Sequence, residues 1–139
     1  MAKDLVQTGT GGVAFVDEAS SAKGAIPLVL GWDVARGATN TVTVGTIPAN
    51  ARIVSCHITV PVVSNAATTA TVSVGLSGGS ATNFTAAQDV KGSVGNFSQA
   101  ATAGWAPSAS SQVITCTYTE TGTASTSGTF YVNLTYIVN

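Results

Sequence analysis

The stretch from Thr41 to Val60 reads Thr-Val-Thr-Val-Gly-Thr-Ile-Pro-Ala-Asn-Ala-Arg-Ile-Val-Ser-Cys-His-Ile-Thr-Val, and the run from Thr71 to Leu76 reads Thr-Val-Ser-Val-Gly-Leu. Val42 and Val44, then Val54, Cys56, Ile58, Val60 and Val62, then Val72, Val74 and Leu76 fall at every second position. A period of two puts each set on one face of a pleated strand. Pro48 fixes its own φ and pushes Ile47 out of the α region, while Asn50 tolerates turn geometry, so Ile47 to Ala51 breaks the run into two strands. The segment therefore reads as strand, turn, long strand, turn, strand, with one face of each looking inward.

Working outward, the same alternation returns in Ile114, Cys116 and Tyr118 and again in Phe130, Val132, Leu134, Tyr136 and Val138, with Gly122 to Gly128 between them read as a hairpin loop. Val13 to Val16 reads as a short strand, Asp17 to Lys23 as a polar turn, and Ala25 to Trp32 as an edge or irregular strand because it contains Pro27. Asp33 to Asn40 reads as a loop. From Ala81 to Ser111 the pattern loosens around the isolated anchors Phe84, Val90, Val94, Phe97 and Trp105, which suggests one or two short strands and a long loop over Ala100 to Ser111. A loop of that length suits a contact with a neighbouring subunit. Counting gives about seven to eight strands without an amphipathic helix, the pattern of an all-β antiparallel β-sandwich with jelly-roll character. Residues 1–12 read as an N-terminal arm and 13–139 as one domain. The expected core contains Val42, Val44, Val54, Ile58, Val60, Val72, Val74, Ile114, Phe130, Val132 and Leu134.

A chain of 139 residues can bury roughly 70% of its extended surface, so no staple is needed. Only 8% of residues are charged, against about a quarter in ordinary domains, while 45% are apolar. The net charge of -1 leaves no basic stripe for phosphates, so nucleic acid is not an expected partner. No signal-peptide run opens the sequence and no eighteen apolar residues are consecutive, so neither Sec export nor a membrane span is expected. A Thr, Ser, Gly and Ala-rich surface nevertheless suits a protein working outside cells. A virion protein, made in the host cytoplasm and carried out in a particle, reconciles the two.

Residues with possible chemistry are few. His57 is the sole histidine, out of phase with Cys56 and Ile58 and hence outward-facing. A Ser-His-Asp triad would need it beside Asp33 or Asp89, and no nucleophile elbow accompanies it, so catalysis is not expected. Cys56 and Cys116 fall on inward positions and read as buried thiols rather than a disulfide in a reducing cytoplasm, and with His57 pointing away they make no zinc site. Asp17-Glu18 supplies too few oxygens for calcium, and Gly9-Thr10-Gly11-Gly12 lacks the Lys-Ser/Thr of a phosphate loop. No cofactor or metal is expected. The acceptor patterns at Asn83, Asn96 and Asn133 read as chance in a chain without a signal peptide. Trp32 and Trp105, each at or near a loop, could stack on a glycan or fill a subunit interface.

Gly45-Thr-Ile-Pro-Ala-Asn-Ala-Arg-Ile53, Val72-Ser-Val-Gly75 and the closing Phe130-Tyr-Val-Asn-Leu-Thr-Tyr-Ile-Val138 resemble the small all-β virion proteins of tailed bacteriophages, with the head decoration, or cement, proteins as the nearest group. The resemblance covers the last hundred or so residues and carries no catalytic site. It implies a non-enzymatic protein on the outer capsid surface that bridges major capsid proteins, often as a homotrimer at three-fold positions. The matching capsid-contact segment would be the arm, with Lys3, Asp4, Leu5 and Val6. Few charges guard the strand edges, and the outer faces carry Thr115, Thr117 and Thr119 on one strand and Tyr131, Thr135 and Ile137 on another, which also favours contact between copies. Trp105, Tyr131 and Ile137 are the candidate interface residues. The competing expectation is a tail-fibre, tail-tip or head-fibre module holding host glycan through Trp32 or Trp105. A third is a hydrolase dependent on His57.

Overall fold

The computed structural model describes residues 3–8, 12–17, 28–34 and 40–138. The strands are β1 (Lys3–Thr8), β2 (Gly12–Asp17), β3 (Leu28–Val34), β4 (Asn40–Ile47), β5 (Ala51–Val62), β6 (Thr69–Leu76), β7 (Gln88–Asp89), β8 (Gly95–Ser98), β9 (Gln112–Thr121) and β10 (Thr129–Val138), with a single 3-10 turn at Ala103–Trp105. Sheet I has the order β3-β10-β5-β8 and sheet II the order β4-β9-β6-β7, and all their pairings are antiparallel. Within these eight strands the first pairs with the last, the second with the seventh, the third with the sixth and the fourth with the fifth. That nesting is one long antiparallel ribbon rolled onto itself, the topology of a jelly roll.

Apart from β6 and β7, the roll places successive strands in opposite sheets, so β4 to β5, β5 to β6 and β9 to β10 all cross the sandwich. The expected hairpin at Gly122 to Gly128 is therefore a crossing from sheet II to sheet I. Turn-forming residues are needed in either case, and the sequence of the loop does not distinguish the two. In the segment expected as an arm, Lys3–Thr8 pairs with Gly12–Asp17 in a two-stranded sheet outside both four-stranded sheets. Of the polar turn expected from Asp17 to Lys23, Asp17 ends β2 and the rest lies outside the described residues, as does the start of the Ala25 strand, and β3 begins at Leu28.

Between the sheets, Leu30, Ile58, Val60, Val132 and Leu134 from sheet I are buried with Val44, Val72, Val74, Ile114, Cys116 and Tyr118 from sheet II. Val42 is half-buried against this core. Two expected inward residues face out instead. Val54 is 48% and Val62 46% exposed. Each sits at a β-bulge. On the β10–β5 ladder Thr135 pairs with Ser55 and Tyr136 with Ile53, leaving Val54 as the extra residue. The alternation on β5 changes phase there, so Ile53 and Cys56 both point in. At the other end Tyr131 pairs with Thr59 and Thr129 with Val62, so Phe130 faces both Val60 and Pro61. Pro61 has no N–H for the ladder, which is why the bulge falls there and why Val62 turns outward. Val138, at the open end of β10, is also exposed.

A third bulge shapes β4, where Thr43 pairs with Thr115 and Gly45 with Ile114, with Val44 between them. Phe84 comes from the loop after β6 and is fully buried. Its N–H and that of Thr85 both donate to the Val74 carbonyl, at 3.0 and 3.2 Å, while Thr85 Oγ1 accepts from the Val74 N–H at 2.9 Å. This loop doubles back so closely over β6 that a Cβ on Gly75 would lie 2.1 Å from the Ser80 carbonyl oxygen. Only glycine fits there.

Candidate functional site

Because the core is closed by side chains from both sheets, the parts of this molecule able to meet another are the outer sheet faces, the loops and the β1–β2 hairpin. On sheet II the outer face is built from hydroxyls. Thr115 lies between Thr43 and Gly75, Thr117 between Thr41 and Ser73, Thr119 beside Thr71, and Thr121 beside Thr69. Thr41 and Thr117 share a hydrogen bond of 3.0 Å between their hydroxyls, and Thr69 and Thr121 one of 2.6 Å. Thr115 and Thr117 retain only 6% and 8% exposure because neighbours on both sides cover them. The expected outward position of Thr115, Thr117 and Thr119 is observed, and their rows carry no charge until Asp89 on the short edge strand β7.

The outer face of sheet I is more varied. Across the strands, one row runs Asp33, Tyr131, Thr59, Asn96 and the next Gly31, Asn133, His57, Ser98. Val29, Thr135 and Ser55 follow, then Ile137 beside Arg52. Thr59 Oγ1 donates to Asn96 Oδ1 at 3.1 Å, and the Ser98 hydroxyl is hydrogen-bonded to His57 Nε2 at 3.2 Å. The His57–Ser98 pair is the nearest thing to a catalytic arrangement on the surface. On the other side of His57 the register places Asn133, while Asp33 is on the far strand of the next row and Asp89 is in the other sheet. The three members of a triad are not brought together. Among the described residues, no group of three or more His, Cys, Asp or Glu side chains could hold a metal ion.

Trp32 on β3 and Trp105 in the 3-10 turn are both half-buried against the core. The Trp105 indole N–H donates to the Phe84 carbonyl at 2.7 Å, and Thr102 Oγ1 donates to the Asn83 carbonyl at 2.6 Å. Trp105 thus fastens the 100–111 loop to the loop that carries Phe84. Tyr131 and Ile137 are on the outer face of sheet I, Tyr131 being 38% exposed. Lys3, Asp4, Leu5 and Val6 lie on β1 of the hairpin.

Cys56 and Cys116 are both free thiols, buried in opposite sheets. Burial pushes the Cys56 thiol up to about 12, and Cys116 is raised by burial and then by the nearby Cys56. Such thiols stay protonated and behave as small hydrophobes. Tyr118 stacks on Phe130, with centroids 5.3 Å apart, and its hydroxyl enters a polar knot at one end of the sandwich. It donates to Glu120 Oε2 at 2.6 Å and is hydrogen-bonded to Ser64 Oγ at 2.9 Å and Ser125 Oγ at 3.2 Å. Burial first, and the Glu120 hydrogen bond second, raise its pKa. Asn65 completes the clasp. Its Nδ2 donates to Thr126 Oγ1 at 2.9 Å, and its Oδ1 accepts from the N–H groups of Thr126 and Ser127 at 2.8 and 3.0 Å. These bonds tie two of the sheet-crossing loops together, and sequence periodicity gave no sign of them.

No family model and no curated relative matches the chain. Solved structures do. The chain is similar to one in the acidic stable capsid structure of Helicobacter pylori bacteriophage KHP30, with a TM-score of 0.67 and 14% identity over 82% of this chain and 89% of that one. A chain of the cyanophage Pam1 capsid asymmetric unit gives a TM-score of 0.67 and 21% identity over 91% of this chain and 94% of that one. A chain of the capsid of Ralstonia phage GP4 gives a TM-score of 0.61 and 17% identity over 85% and 88%. At these identities the likeness is one of fold. In all three pairs the cover is nearly equal on both sides, so most of this chain is matched by most of a chain of about its own length.

Proposed function

We propose that this chain is a non-enzymatic structural protein of a tailed-phage virion that decorates the outer surface of the head and stabilises the joints between capsomers. The observation that carries the reading is the likeness of its jelly roll, over more than four fifths of the chain, to chains of similar length in three phage capsids. A small closed sandwich of this kind works by contact. Its outer faces are large, regular and nearly uncharged, and its β1–β2 hairpin belongs to neither of the two packed sheets. Its partners are then the major capsid protein and other copies of itself. The β1 residues Lys3, Asp4, Leu5 and Val6 make the capsid contact. Three copies form a ring at three-fold positions of the shell, with the 100–111 loop near the ring interface. The protein assembles in the host cytoplasm and leaves it in the particle.

Rebinding tests the reading. Purified protein mixed with heads that lack it should sediment with them and raise the temperature at which they release DNA. A variant without residues 1–12 should bind markedly less. Protein that stays in the supernatant at saturating concentration contradicts the proposal.

A further inference from the structure

Gly31 leaves a gap in the outer face of sheet I, and the residues around that gap carry polar groups that the chain itself does not use. It sits on β3, the outermost strand of the sheet, opposite Asn133 on β10. The pairs on either side are Asp33 with Tyr131 and Val29 with Thr135. All of these positions share the outward phase of the pleat, so the missing side chain at Gly31 makes a notch ringed by the other five. Outside its chain neighbours, a Cβ at Gly31 would meet one atom within 4 Å, Asn133 Oδ1 at 3.2 Å, so the floor is backbone and the Asn133 amide stands at its edge. Tyr131 is 38% and Val29 46% exposed, and Asp33 and Asn133 are exposed as well. Among the described residues, no hydrogen bond or ion pair engages the side chain of Asp33, Tyr131 or Asn133. Farther along the same rows the polar groups satisfy one another, Thr59 with Asn96 and His57 with Ser98.

The notch runs from Val29 to Asp33, about 13 Å along the strand. That is the scale of a small ligand, since a specific protein partner needs about 800 Å² on each side. The groups around it set the chemistry of what fits. The Asp33 carboxylate accepts hydrogen bonds and donates none, the Asn133 amide does both, and Tyr131 adds an apolar ring face beside a hydroxyl. A ligand matched to this set carries several hydroxyl donors on its rim and carbon-bound hydrogens on its face. A pyranose ring has both. We propose that the notch over Gly31 is a binding site for a neutral saccharide, with one sugar ring against Tyr131, two adjacent hydroxyls donating to Asp33 and a third exchanging hydrogen bonds with Asn133. The aromatic contact is thus Tyr131, whereas Trp32 and Trp105 pack against the core. Open to water on its outer side, a single site recovers little beyond the cost of association, so its dissociation constant is on the order of 1 mM. Many copies on one particle raise the affinity by avidity, a gain that rests on the head-decoration reading. The site itself does not.

Titrating isotope-labelled protein with maltotriose, mannotriose, galactotriose and chitotriose, followed by amide chemical shifts, tests the proposal. At least one of these sugars should shift the amides of Gly31, Asp33, Tyr131 and Asn133 in a saturable way. Gly31→Val fills the notch with a residue that suits a strand, and should abolish those shifts. Asp33→Ala and Tyr131→Ala should each weaken binding by about tenfold or more. Thr71→Ala, on the outer face of sheet II, should leave it unchanged. Equal thermal midpoints establish that the variants fold. Absence of saturable binding by all four sugars, shifts centred on another face, or wild-type binding by Gly31→Val and Asp33→Ala would each overturn the proposal. So would a notch that responds to unlabelled copies of the chain or to capsid subunits but to no sugar, which would assign it to a protein contact. Wild-type protein that takes the sugar but does not rebind heads overturns the decoration reading and leaves this one standing, and the reverse result does the opposite.

Discussion

Val54 and Val60 are the same residue type on the same strand and in the same sequence phase, yet the bulge puts them on opposite faces. Val60 is fully buried and Val54 is 48% exposed. Truncating Val60 to alanine removes two buried carbons at about 0.8 kcal/mol each and leaves a cavity, a loss of about 2–3 kcal/mol. Val54→Ala removes carbons already half in water and has no cavity to leave, so its cost should stay below about 1 kcal/mol. Deleting Val54 outright would place Ile53, Ser55 and Cys56 in strict in-out-in alternation, and this shortened chain should still fold. Equilibrium urea unfolding measures all three, with equal slopes required before the midpoints are compared. A cost at Val54 equal to or larger than that at Val60 would refute the register assigned to β5.

Tyr118→Phe keeps the stack on Phe130 but removes the hydroxyl's bonds to Glu120, Ser64 and Ser125, and should cost about 1–3 kcal/mol by the same unfolding assay, with no change in far-ultraviolet circular dichroism. Gly75→Ala drives a Cβ into the Ser80 carbonyl and should yield protein that is insoluble or unfolded, whereas Gly78→Ala, in open space but at φ +73°, should cost only about 1 kcal/mol. Burial raises the pKa values of Cys56, Cys116, Tyr118 and Tyr136, so the folded state holds protons that the unfolded chain releases. Stability is then complete below pH 9.0 and is lost as pH rises toward 12, by on the order of 4 kcal/mol for Cys56 alone. Thermal midpoints should be level from about pH 6.5 to 8.5 and fall above it, and Cys56→Ala should flatten that fall. A decline that begins on the acid side and spares pH 10 would contradict this assignment.

The faces of β6, β9 and β10 were legible because their alternation is local: Val72 and Val74, Ile114 to Tyr118 and Phe130 to Tyr136 are buried where the period of two puts them. On β5 the same rule failed at Val54, since a bulge is set by the partner strand and has no local signature. Pro61 was such a signature for the second bulge, and Val62 follows from it. Sheet membership was not legible either. The Gly122 to Gly128 loop has the composition of any turn, and only the pairing of β10 with β3 and β5 shows that it crosses the sandwich. The outward threonines could be read from sequence, but not that Thr41 and Thr69 on other strands would bond to them. Asp33 and Arg52 share a face only through two long-range ladders, and Phe84 reached the core from a loop with no periodicity at all.

The central claim is that this jelly roll is a lattice component of the phage head exterior, and the copy number in purified particles tests it most directly. Quantitative mass spectrometry of intact virions, against the major capsid protein as internal standard, should give this chain in a fixed ratio to the capsid lattice, and brief protease treatment of intact particles should reach it. A copy number on the scale of a single tail or fibre, or absence from the particle, would contradict the account.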